Sequence, residues 1–200
     1  MNNIYNEDCL VTLNRKLDYD YVVTSPPDYS ELGYDTTELN KYKIFLNERL
    51  KLLYPKGNLV TIFVSNRKSD GGIIEKDRII IDIMLGNGWQ LHSKKIWVKS
   101  YKINQIRPNY TNILTFRKYK RFVSNLPDCW YDEFKSADKE YTYNFSETIV
   151  TDLINWATNE NDIVFDPFIG SGTTLKVCNE LNRQCIGSEI NTDTFNKFLK

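Results

Sequence analysis

Histidine is almost missing from this chain: His92 is the only one in 200 residues, and the four cysteines, Cys9, Cys129, Cys178 and Cys185, stand far apart except for the last two. A lone imidazole disfavours triad chemistry and leaves no clustered ligands for zinc, and cysteines so placed do not form a disulfide framework. No metal is expected. Long apolar runs are missing too, since the stretch from Arg78 to Leu85 is interrupted by Asp82, so neither a membrane span nor a secretory signal is expected. A soluble, intracellular protein of a bacterial or phage-host cytoplasm is implied. Nine glycines and six prolines punctuate the chain and form no low-complexity tract. A 41% hydrophobic content over this length suffices for one compact domain, 1–200.

A more local absence is acid. Between Ile83 and Pro127 there is no Asp or Glu, yet the segment holds nine of the 26 basic residues, leaving 17 against all 26 acidic ones elsewhere. The zero net charge therefore hides a basic segment inside an acidic remainder. Trp89, Trp97, Tyr101, Tyr110, Phe116, Tyr119 and Phe122 are interleaved with these cations, a mixture that suits a polyanion with exposed base faces. Lys99, Lys102, Arg107, Lys118, Lys120 and Arg121 are the candidate nucleic-acid contacts. Trp97 and Phe116 alternate with polar neighbours and read equally as core.

Periodicity gives alternating strands and helices. Tyr21–Thr24 reads as a strand stopped by Pro26 and Pro27, 39–53 as a helix ended by Pro55 and Gly57, and 58–65 as a strand. A helix over 77–85, strands at 90–98 and 112–117, a helix over 145–157, a strand at 162–165, a helix over 173–182 and a strand at 184–190 follow. The pattern predicts an α/β fold with a Rossmann-like, mostly parallel sheet, helices on both faces, and a final hairpin adding an antiparallel strand. Residues 122–143 read as irregular.

Two motifs carry chemistry. In DIVFDPFIGSGTTL (162–175) a strand runs into a glycine-rich turn that opens a helix, so backbone amides can approach a ligand there. No Lys follows Gly172, which excludes a P-loop, and the G-x-G-x-x-G spacing is absent. Glu189, nineteen residues after Gly170 at the end of the next strand, suits the two hydroxyls of a ribose. The second motif is YVVTSPPDY (21–29), where two consecutive prolines fix a loop directly after a strand.

Here the chain resembles the beta class of DNA amino-methyltransferases, which use S-adenosyl-L-methionine and whose catalytic loop reads Asp, Asn or Ser, then Pro-Pro, then an aromatic. Ser25, Pro26 and Pro27 match that loop. DPFIGSGTT (166–174) is similar to the family's cofactor motif, and NEDCL (6–10) to the segment whose acidic residue contacts the adenine of the cofactor. The resemblance implies a class I methyltransferase fold with its motifs in permuted order. It places Asp8, Cys9, Asp166, Pro167, Phe168, Gly170, Ser171, Gly172, Thr173 and Glu189 around the cofactor. It makes Ser25, Pro26, Pro27, Asp28 and Tyr29 the catalytic loop. The implied reaction is methylation of an exocyclic amino group in DNA, cytosine N4 ahead of adenine N6 because the Ser form accompanies that target more often, in a restriction-modification setting. A non-catalytic DNA-binding subunit with the same fold is the alternative.

The chain departs from the family at three places. Asp28 stands where the aromatic belongs and Tyr29 follows one residue late, so Tyr29 is the candidate stacking partner of an extruded base. Asp28 reads as an acceptor of the amino hydrogens, as the eventual proton acceptor, or as a turn residue. Ser146 and Glu147 replace a Lys-Pro pair. The candidate target-recognition insert, 119–143, is short, which points to a brief site, a homodimer or a second specificity subunit.

Overall fold

The computed structural model describes residues 2–69, 72–99, 108–119, 122–132 and 145–199. In chain order the elements are β1 (Asn3–Tyr5), α1 (Cys9–Asn14), β2 (Tyr21–Thr24), α2 (Leu39–Leu50), β3 (Leu59–Val64), β4 (Arg67–Ser69), β5 (Gly72–Ile74) and α3 (Lys76–Gly86). They continue with β6 (Gln90–Val98), β7 (Tyr110–Arg117), β8 (Cys129–Tyr131), α4 (Glu147–Ala157), β9 (Ile163–Asp166), α5 (Thr173–Glu180), β10 (Gln184–Ser188) and α6 (Thr192–Phe195). Short 3-10 turns cover Tyr29–Leu32, Thr36–Glu38 and Asn196–Leu199.

Eight of these strands form one sheet in the order β1-β10-β9-β2-β3-β7-β6-β8, while β4 and β5 pair as a separate hairpin. Neighbours from β1 to β3 are parallel, β7 runs antiparallel to both β3 and β6, and β8 is parallel to β6. The antiparallel strand thus sits in mid-chain, and the last strand, β10, is parallel to both its neighbours. The segment read as irregular holds a strand: β8 aligns Trp130 beside Trp97. Three residues give too short a pattern to read from sequence, and the same is true of β1, β4 and β5.

Period-two alternation divides the central strands between two cores. Val22, Val60 and Ile62 face one side with Leu46, Leu50, Ile80 and Met84 of α2 and α3. Tyr21, Val23, Leu59 and Phe63 face the other with Ile149, Leu153, Val177 and Cys178 of α4 and α5. All six residues of β3 are buried, which is why its sequence, LVTIFV, is an almost unbroken apolar run. Three of the cysteines are buried and all four are free thiols; burial pushes Cys9 up to about 12, which makes it an inert packing group. No helix among the described residues is long and apolar enough to cross a membrane.

Parallel strands bring their carboxyl ends to one edge of the sheet, where α/β folds place their ligands. The loops after β1, β2, β3, β9 and β10 all open on that edge. Both sequence motifs therefore meet there, although they lie near opposite ends of the chain.

Candidate functional site

A cleft of about 750 Å³ lies along this edge. Its walls include Ser25, Pro26, Pro27 and Asp28 on one side and Pro167, Phe168, Gly170, Ser171 and Glu189 on the other, with Asp8 and Cys9 between.

The proline loop is held rigidly. Ser25 donates its hydroxyl to the Phe63 carbonyl at 3.3 Å, and Tyr42 of α2 donates to the Pro27 carbonyl at 3.0 Å. Asp28 then ends the loop as an N-cap, accepting the Ser30 amide at 3.2 Å. Its other oxygen lies 2.5 Å from the buried ammonium of Lys76, and Arg67 approaches to 3.8 Å. Burial works against the Asp28 charge, but the Lys76 hydrogen bond and charge, the Ser30 amide and Arg67 together hold its carboxyl below the usual range. Such a carboxylate is saturated and weakly basic, which fits a turn anchor better than a proton acceptor.

Capping by Asp28 also decides where Tyr29 goes. The 3-10 turn carries its ring into the core, edge-on to Tyr42 at 6.1 Å, with 4% exposure and no part in the cleft wall. The sequence expectation of Tyr29 as a stacking surface in the cleft does not match this placement. The physical reason is the Asp inserted before it, which sets the turn one residue late.

On the side of the glycine turn, β9 ends in Asp166, which has no exposure at all. Its oxygens accept from Thr24 (2.6 Å), Thr174 (2.7 Å) and the Phe168 amide (3.1 Å), joining β2, the glycine turn and α5. Burial raises it to about 6 despite these donors. Asp166 therefore braces the turn from behind. Gly170 has φ +52 and Gly172 φ +86, values that disfavour any side chain. A Cβ on Gly170 would meet nothing nearer than the Phe168 carbonyl at 3.8 Å, so that glycine fronts open space; one on Gly172 would strike the Phe198 ring at 2.4 Å. Gly172 and Thr173 form the base of the turn and do not line the cleft.

Glu189 stands at the end of β10, half-buried, with its pKa raised by burial against amide hydrogen bonds from Asn191, Gly170 and Ile190. Asp8 caps α1 through the Leu10 amide at 2.8 Å and pairs with the buried Arg49 at 2.7 Å. Arg49 in turn lies 3.7 Å over the Phe45 ring, whose centroid is 6.2 Å from that of Phe168. A carboxylate, two aromatic rings, a bare glycine turn and a second carboxylate thus line one trough, a donor set that fits a nucleoside with an amino-acid tail. Ser146 and Glu147 are otherwise engaged: Ser146 caps α4, and Glu147 pairs with Lys176 at 2.8 Å.

The basic segment divides. Lys94 pairs with Asp77 at 2.6 Å and Lys95 with Asp128 at 2.9 Å, so acids from outside the segment neutralise them. Trp89, Trp97 and Phe116 are core residues. Lys99 lines the cleft, its ammonium 4.7 Å over the Trp97 ring. Lys118 is at the other end of β7, over Trp89 at 4.6 Å. Because Asn112 pairs with Val64 at the cleft and the Lys118 amide bonds to Asn58, Lys118 sits at the edge opposite the cleft, about 20 Å away over six strand steps. Lys102, Arg107, Lys120 and Arg121 lie outside the described residues. Lys76, Arg49, Phe45 and Tyr42 were missed by sequence reasoning. Each acts on a partner far along the chain, and no local pattern marks it.

The family model for N6/N4 methyltransferases, described as DNA methylase, matches residues 19–200. The chain belongs to this family. Among curated methylases, the type II methyltransferase M.HpaI of Haemophilus parainfluenzae is 30% identical over 213 residues, covering 87% of this chain and 65% of that protein. Two more, M.BglII of Bacillus subtilis and M.BamHI of Bacillus amyloliquefaciens, are each 26% identical. The chain spans 55–66% of the length of these three relatives. Among solved structures, the cytosine-N4-specific PvuII DNA methyltransferase superposes with a TM-score of 0.80 at 18% identity, covering all of this chain and 87% of the other. The complex of M1.HpyAVI with SAM gives 0.71 at 24%, covering 98% and 96%. The fold is the Rossmann-like class I methyltransferase sheet: the strand pattern predicts the mostly parallel sheet, and the family resemblance implies its class I form.

Proposed function

We propose that this methylase transfers a methyl group from S-adenosyl-L-methionine to an exocyclic amino nitrogen in DNA, cytosine N4 in the first place. The observation that carries the reading is the meeting of the Ser25-Pro26-Pro27 loop and the Gly170–Glu189 trough in one cleft. The relatives' names and the S-adenosylmethionine complex of M1.HpyAVI support it. When bound, S-adenosylmethionine supplies an electrophilic methyl group on a sulfonium.

The residues divide the work by position. Glu189 accepts from the ribose hydroxyls, Asp8 faces the adenine between the Phe45 and Phe168 rings, and the bare turn at Gly170 and Ser171 receives the methionine end. Asp166, Gly172 and Thr173 hold that turn in place. On the other wall, the amino lone pair of the base is delocalised into its ring and must be localised before it can attack. The Ser25 hydroxyl and the Pro26 carbonyl accept the two amino hydrogens and turn the lone pair out of the ring plane. Tyr42, Lys76 and Asp28 keep that loop from moving. The extra proton of the methylated amine leaves to solvent. Lys99 stands at the mouth, where a phosphate of the extruded nucleotide passes.

Residues 1–200 act as one methyltransferase domain in this reading, with 119–143 touching the target; of that stretch, 120–121 and 133–143 lie outside the described residues. So short a recognition segment favours a second copy or a specificity subunit. The test is to incubate the protein with mixed-sequence DNA and labelled methyl donor, digest to nucleosides and identify the product by mass. N4-methylcytosine is expected. N6-methyladenine would overturn the choice of base and keep the chemistry; no label in DNA would favour a non-catalytic subunit.

A further inference from the structure

An extruded base needs an apolar face to lie against. Tyr29, the residue that the motif offers, is in the core and not in the cleft wall. The wall next to Ser25 offers another ring. Ser25 is bonded to the Phe63 carbonyl, and the Phe63 ring packs against Phe145 with centroids 4.4 Å apart and planes 34° from parallel. Both rings line the cleft, as does Trp97. Phe63 is 1% exposed and Trp97 2%, so they form the floor, while Phe145 is only half-buried and is the accessible ring of these three. Around it lies a polar rim: Ser65 and Thr111 share a hydrogen bond of 2.7 Å, and Lys99 reaches Ser65 at 3.5 Å.

We propose that Phe145 is the face on which the extruded base stacks, in place of the aromatic that the family carries directly after Pro27. The inference rests on the reading of the chain as a DNA amino-methyltransferase. A ring on the Phe63 side approaches the same Ser25 hydroxyl from the β3–β6 end of the cleft instead of from the loop itself. Placing Asp28 in the loop then costs no stacking surface, because the ring comes from the residue before the cap of α4.

Phe145→Leu and Phe145→Tyr separate stacking from packing, because Leu keeps apolar volume on Phe63 without a flat ring and Tyr keeps the ring. The substrate is unmodified plasmid DNA with labelled methyl donor, under single-turnover conditions below DNA saturation. Phe145→Leu should slow transfer about tenfold or more, the usual cost of losing one base-aromatic contact. Phe145→Tyr should stay close to wild type, and donor affinity by calorimetry should be unchanged in both. Wild-type rates in Phe145→Leu would overturn the proposal, as would equal losses in Leu and Tyr with unchanged melting temperatures. If Phe145→Leu melts early, Phe145→Met takes its place with the same two outcomes. Absence of transfer by the wild-type protein would overturn the underlying methyltransferase reading, and the proposal with it.

Discussion

The ammonium of Lys76 and a carboxylate oxygen of Asp28 lie 2.5 Å apart, with the two side chains 6% and 8% exposed. They join the end of the proline loop to the first turn of α3, well downstream in the chain. Two charges so buried are stable only together: removing one partner strands the other out of water.

Asp28→Asn should therefore destabilise the protein by about 3 kcal/mol, although Asn can keep the turn cap. Lys76→Met should cost a similar amount. The double variant should recover much of the loss, since it leaves no orphan charge. Denaturant melts of the four proteins measure the coupling, and additive losses would show that the pair is not a unit. Methyl transfer per folded molecule should change little in Asp28→Asn if Asp28 anchors the loop and takes no proton.

Donor binding should depend on Glu189. Replacing it with Ala removes two charge-assisted hydrogen bonds to ribose, expected to weaken affinity by about 2 kcal/mol, or roughly thirtyfold. The rise in melting temperature on adding S-adenosylmethionine should shrink accordingly. The carboxylate binds in its ionised form and burial raises its pKa, so affinity should fall as pH drops through that raised value. Calorimetry across a pH series checks both; a pH-independent affinity would remove Glu189 from the site.

Asp166 should leave a signature in stability. Its folded pKa of about 6 is above the ordinary value of 3.8, so between these limits the folded state binds more protons than the unfolded one. Stability contributed by this group is complete below pH 4 and is lost as pH rises through 6, by about 3 kcal/mol in all. Asp28, Asp8 and Asp77, whose pKa values are lowered, act in the opposite sense, so the comparison must be with Asp166→Asn. The wild type should lose ground to that variant steadily from pH 4 to 7. A constant difference between the two proteins would contradict the assignment.

The two described candidate DNA lysines should behave differently. Lys99→Met removes a cation at the cleft and should lower the slope of log K against log salt by about one. Lys118→Met, on the opposite edge, should leave the slope as it is. Equal effects would mean that DNA wraps around the end of the sheet.

What the sequence displayed follows from how local each feature is. YVVT before Pro26, LVTIFV before Ser65 and the turn at Gly170 are written in contiguous residues, so strand, loop and glycine turn were legible, and their meeting at one edge followed from the parallel sheet. Tyr29 was not legible as a core residue, because a single inserted Asp converts an extended loop into a capped turn. The partnerships of Asp28 with Lys76 and of Asp8 with Arg49 join distant stretches of chain and leave no trace in spacing. The basic segment was legible as composition, but composition does not show that Asp77 and Asp128 come back to neutralise part of it, or that β7 carries Lys118 away from the cleft.

The pairing of β1 with β10 has a consequence for the order of assembly. Asn3, Ile4 and Tyr5 find their partners only at residues 186–188, and Asn2 receives the Cys185 amide. The half of the sheet made of β2, β3, β7 and β6 closes within residues 21–117, whereas β9 and β10 must arrive before the first strand has anywhere to go. A chain emerging from the ribosome can therefore set its proline loop early and hold it with Lys76, while the glycine trough waits for the last strand. Contacts of such long sequence separation form late. Until then the proline loop stands without the trough that faces it.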